Sequence, residues 1–279
     1  MMEWWHAVIL GIIEGVTEFL PVSSTGHLTI AEKLMGYQID STSITAFTAI
    51  IQIGAILSAI LYFREDILRV AKAWLTGLFN EGARKKSDYK FGWAVIVGSL
   101  PIAVIGLVFK DEIETVLRSL WFVAITLILW SAVMWYADRA ATQKREEKNV
   151  GWKDTFKIGL AQCIALIPGV SRSGATISAG LMLGFDRVTA TRLSFFLGIP
   201  ALVAAGVFQA VTHAKYIDEG VGWTATIIGI VTSFIVGYIS IAWLLKFVSN
   251  HDFTGFVVYR IVVGLALMVL LITGTISAT

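Results

Sequence analysis

Apolar residues run in long blocks separated by short polar stretches. Six blocks contain no Asp, Glu, Lys or Arg: 41–63, 91–109, 119–137, 193–212, 220–245 and 261–279, the last extended across Arg260 to give a span over 254–276. About 20 apolar residues cross a bilayer's hydrocarbon core as a helix, so each block predicts a membrane span. Two further regions break differently. Helical pattern over 4–20 and 27–35 flanks the polar stretch EFLPVSSTGH, and 158–171 and 173–185 flank Arg172. Each arm is about half a membrane thick. Non-helical backbone is tolerated at membrane depth only inside protein or beside a water-filled cavity, so the pattern predicts re-entrant hairpins over 4–36 and 158–185.

The two hairpins are copies of one another. GIIEGVTEFLPVSSTGHLTIAEKLMG (11–36) aligns without a gap on GLAQCIALIPGVSRSGATISAGLMLG (159–184), at an offset of 148 residues. The same offset sets Phe47 on Phe195 and Ile51 on Ile199. The chain therefore reads as an all-α membrane domain over 1–279 made of two repeats, 1–139 and 154–279, each one re-entrant hairpin plus three spans. Three is odd, so the second copy enters the bilayer from the opposite side. Such inverted repeats place binding sites near the midplane.

Composition agrees with this reading. Hydrophobic residues make up 56% and charged residues 15% of the 279, and mean hydropathy is +0.76. A net charge of +2 predicts no nucleic-acid partner, and one cysteine, Cys163, excludes a disulfide framework. The N-terminus lacks the basic and small-residue features of a cleaved signal peptide. Lys and Arg crowd two stretches, 64–90 and 138–157, against only Lys110, Arg118 and Lys215 opposite. The positive-inside rule makes the crowded face cytoplasmic and sends the mouth of the first hairpin outward.

The candidate chemistry lies at the two breaks. Glu14 and Glu18 share one helical face, and paired intramembrane acids suit proton transfer or a divalent cation, Mg²⁺ or Ca²⁺. Ser24, Thr25, Gly26 and His27 open the next half-helix, whose free N–H groups favour an anion; N-capping alone is the plainer role for Ser23 or Thr25. At the second break Arg172 needs an anionic partner, either Glu14 or Glu18 or a ligand phosphate, and Ser171, Ser173, Gly174 and Thr176 add hydroxyls and N–H groups. Together these groups predict a phosphoryl-transfer site. Gln52, mid-span, lines that site or bonds a neighbouring helix, and Arg260 is expected to snorkel to the cytoplasmic interface. Trp4, Trp5, Trp93, Trp121 and Trp135 read as interface anchors.

EGVTEFLPVSSTGH (14–27) and PGVSRSGAT (168–176) resemble the two signature motifs of the undecaprenyl-diphosphate phosphatase family, the bacitracin resistance proteins. The resemblance covers the whole chain. It implies an integral enzyme of the bacterial cytoplasmic membrane that hydrolyses undecaprenyl diphosphate to the monophosphate, recycling the lipid carrier of cell-wall synthesis. It assigns key roles to Glu14, Glu18, Ser24, His27, Ser171, Arg172 and Thr176. Two catalytic assignments stay open here: Ser24 attacks phosphorus with His27 as base, or His27 attacks and Ser24 orients. A flippase for undecaprenyl phosphate is the rival reading, resting on the inverted-repeat architecture alone. A homodimer is compatible with the sequence and not demanded by it.

Overall fold

The computed structural model describes residues 2–39, 41–109 and 119–278, all of whose extended elements are helices. They are α1 (Trp4–Thr17), α2 (Ser24–Leu34), α3 (Thr42–Tyr62), α4 (Arg64–Phe79), α5 (Ser87–Val108), α6 (Leu120–Ala140), α7 (Trp152–Ile164), α8 (Arg172–Met182), α9 (Arg187–His213), α10 (Trp223–Val248) and α11 (Thr254–Ile272), with short helical turns between some of them. Six of these are long and apolar enough to cross a membrane; the chain is a multi-pass membrane protein. Lys110 and Arg118 lie outside the described residues.

Among the boundaries that differ from the sequence expectation, three show why: charge was taken to end a helix. The stretch 64–90 contains α4, an amphipathic helix that leaves Leu68, Leu75 and Phe79 exposed. Helix α9 starts at Arg187, not 193, since its arginines are paired: Arg187 with Asp138 at 2.7 Å, and Arg192 with Asp66 at 2.8 Å and Glu147 at 2.7 Å. Helix α7 starts at Trp152, where Asp154 accepts from the Gly151 N–H and pairs with Arg145. A charge that finds a partner no longer needs to leave the helix.

Helices pack through small residues, as expected where lipid supplies no hydrophobic drive between them. A Cβ on Gly11 of α1 would lie 2.8 Å from the Gly229 carbonyl of α10, and one on Gly159 of α7 would overlap the Gly98 carbonyl of α5. Gly11 and Gly159 are 148 apart, and each meets a glycine of the opposite half of the chain. Glycine at these positions lets the half-length helices approach to backbone contact and so buries both breaks.

Candidate functional site

Both breaks adopt the same backbone. Ser23 has φ 80° and ψ 99°, and Ser171 has φ 79° and ψ 121°, a region that costs a residue with a Cβ about 1–3 kcal/mol. Each serine hydroxyl caps the helix that follows, accepting from the Gly26 N–H at 3.3 Å and the Gly174 N–H at 3.1 Å. The half-helices end alike too, on Gly36 (φ 82°) and Gly184 (φ 86°), left-handed positions suited to glycine. The strained serines turn the next residue, Ser24 or Arg172, inward.

Those two residues meet on one carboxylate. Glu18, 5% exposed, accepts the Ser24 hydroxyl on Oε2 at 2.7 Å and the Arg172 guanidinium on Oε1 at 3.1 Å. The Gln52 amide adds a donor to Oε2 at 3.3 Å. Arg172 also donates to the carbonyl of Ser194 at 2.8 Å. Since Ser24 and Arg172 are repeat equivalents, each half sends one group to the same anion. A cavity of about 240 Å³ opens here, lined by Glu18, Ser23, Ser24, Thr25, Gln52, Gln162, Ser171 and Arg172, with an apolar wall from Ile102, Ala201, Leu202 and Ala205. A second cavity shares Ser24, Thr25 and Gln52 and reaches Glu14, Glu32 and Thr48.

The remaining candidates divide. His27 lines neither cavity. Its Nδ1 lies 2.8 Å from the Ser23 carbonyl and its Nε2 2.8 Å from the Tyr259 hydroxyl. A carbonyl only accepts, so Nδ1 carries the hydrogen, and in the neutral ring Nε2 accepts from Tyr259. Thr176 is wholly buried, and its hydroxyl lies 2.9 Å from the Arg172 carbonyl and 2.7 Å from the Ser194 hydroxyl. Ser173 donates to the Leu20 carbonyl at 3.0 Å, fastening the second helix start to the first break. Gly26 and Gly174 spend their N–H groups on the caps, while the preceding N–H groups of each helix start have no partner within the helix. Glu14 is 1% exposed, and its Oε1 has no protein partner among the described residues.

Arg260 is the correction. It does not snorkel: it is fully buried and donates to the Pro21 carbonyl at 3.1 Å, the Gly169 carbonyl at 2.9 Å and the Ser131 hydroxyl at 3.2 Å. Pro21 and Gly169 are again 148 apart, so one guanidinium grips the same carbonyl in each break. Sequence offered one signal for this, a lone arginine in an apolar span, which usually marks function. Gln162 also lines the main cavity and was not singled out, because it lies outside both motifs, ten residues before Arg172.

This geometry is joined by the comparisons with known proteins. The family model of the bacitracin resistance protein BacA matches residues 7–266. The chain belongs to the BacA family. It is 60% identical to undecaprenyl-diphosphatase 3 of Frankia casuarinae over all of both chains. Against the undecaprenyl-diphosphatase of Cutibacterium acnes, identity is 58% over 99% of this chain and all of the relative; against that of Acidothermus cellulolyticus it is 52% over the same shares. This BacA chain therefore spans its relatives from end to end, both breaks included.

Proposed function

We propose that the chain hydrolyses undecaprenyl diphosphate to undecaprenyl phosphate and phosphate in the bacterial cytoplasmic membrane, with Ser24 as nucleophile. The observation that carries the assignment is the Glu18 carboxylate held between the Ser24 hydroxyl and the Arg172 guanidinium. The diphosphate enters the main cavity and the polyprenyl tail leaves past Ile102, Ala201 and Ala205 toward lipid. Arg172 turns from Glu18 to the phosphoryl oxygens, which match its forked donors. Glu18 takes the hydroxyl proton as Ser24 Oγ bonds the terminal phosphorus, and the bridging P–O bond breaks, releasing undecaprenyl phosphate. Once Glu18 has passed its proton to solvent, water attacks the phosphoserine. Glu18 accepts the water proton and returns it to the Ser24 oxygen as the Ser–O–P bond breaks, releasing phosphate.

A divalent cation, Mg²⁺ or Ca²⁺, fits the donors in part. The unpartnered oxygen of Glu14 is available, whereas both oxygens of Glu18 are engaged until Arg172 turns to substrate. Glu14 and Glu18 would hold the ion, which would neutralise phosphoryl charge. His27 then positions the first helix start through Tyr259 rather than reacting.

The inverted topology and an outward-opening mouth belong to the same proposal. They are supported by the matched backbone of the two breaks, the reciprocal glycine contacts and the lysine and arginine crowding of 64–90 and 138–157. The test is phosphate release by purified protein in detergent, with mapping of the phosphorylated residue at neutral pH, where phosphoserine and phosphohistidine both survive. Phosphate found on Ser24 supports the mechanism, and phosphate on His27 overturns it. A flippase in micelles would release none.

A further inference from the structure

Glu14 and Gln162 occupy the same position in the two repeats, on α1 and α7, 148 residues apart. Both are buried, at 1% and 0% exposure. Both carry side-chain atoms without a protein partner among the described residues: Oε1 of Glu14, and Oε1 and Nε2 of Gln162. Leaving a buried amide unpaired is costly, and native proteins rarely do it without a reason. Gln162 lines the cavity that holds Ser24, Glu18 and Arg172. The Gln52 amide nearby is already given to Glu18, so Gln162 is the amide left to face a ligand.

The exchange of Glu for Gln between repeats has a chemical sense. A carboxylate only accepts, whereas a carboxamide also donates through two N–H bonds. Beside Arg172 a further negative charge would repel a phosphoryl group, and a neutral donor would hold it. We propose that Gln162 Nε2 donates to a non-bridging phosphate oxygen of the diphosphate, and of the product phosphate, beside Arg172. This rests on the reading that the cavity binds the diphosphate.

The test uses the full chain in detergent. Kinetics with a polyprenyl diphosphate, inhibition by inorganic phosphate and thermal unfolding are measured for wild type, Gln162→Met, Gln162→Glu and Arg172→Ala. Gln162→Met should weaken both KM and phosphate inhibition about ten- to hundredfold, the worth of a hydrogen bond to a charged group, with a smaller change in kcat. Its melting temperature should hold or rise, because an unpaired buried polar group has been removed. Gln162→Glu, nearly isosteric, should weaken both further by charge repulsion. Unchanged KM and phosphate inhibition in both variants, with Arg172→Ala inactive, overturns the proposal. So does a fall in melting temperature in both variants without a change in KM, since that is a structural role. Full activity of Arg172→Ala would instead remove the reading of the site on which the proposal rests.

Discussion

Replacing Arg260 by Met tests how the two halves of the site are held in register. Arg260 donates to the Pro21 carbonyl at 3.1 Å and the Gly169 carbonyl at 2.9 Å, neither of which sits in regular helix. Methionine fills much of the volume and removes the charge, so the guanidinium's own desolvation cost vanishes with its hydrogen bonds. What remains are two buried carbonyls without that donor, at about 1–3 kcal/mol each. The expected loss is about 2–6 kcal/mol, a large share of a typical stability of about 5–15 kcal/mol. The functional effect should exceed what stability explains. Pro21 lies three residues before Ser24 and Gly169 three before Arg172, so a slip of either break changes how those groups meet Glu18, and about 1 Å of misplacement can cost about a hundredfold in rate. Arg260→Lys keeps the charge but lacks the planar fork that spans two carbonyls, and should recover stability better than kcat. The assay is kcat and KM of phosphate release beside thermal unfolding, for both variants. An Arg260→Met protein with wild-type melting temperature and kcat would refute the clamp.

Further outcomes follow from the same geometry. Ser24→Ala should lower kcat by at least about a hundredfold and His27→Ala by much less, read from phosphate release; equal losses would restore His27 to the chemistry. Outside the membrane spans, burial tends to raise the Asp66 carboxyl, but hydrogen bonds from Arg69 and Arg192 outweigh it and hold the group below its ordinary value of 3.8. A depressed carboxyl stabilises the fold above its unfolded value and loses that contribution as pH falls through the folded one. Asp66→Asn should therefore cost about 1 kcal/mol near neutrality, and the difference from wild type should shrink below roughly pH 4 in unfolding measured across pH. Gly159→Ala drives a Cβ into the Gly98 carbonyl and should destabilise by about 1–3 kcal/mol, whereas Gly106→Ala meets nothing within 4 Å and should leave the melting temperature unchanged.

The sequence alone determined that there are six spans, the positions of both breaks and the identity of the polar groups at them. These are local matters: apolar run length decides what can cross lipid, and Ser23, Ser171, Gly36 and Gly184 shape helix ends within a turn of themselves. Tertiary structure decided who meets whom. Glu18 finds Arg172 across 154 residues and His27 finds Tyr259 across 232. Arg260, expected at the interface, instead reaches carbonyls 239 and 91 residues away. A long charged side chain in a medium without water takes the best acceptors within its reach, and those are set by which helices pack together. Small residues such as Gly11 and Gly159 make that packing close, and no periodicity in the chain names the partner they admit.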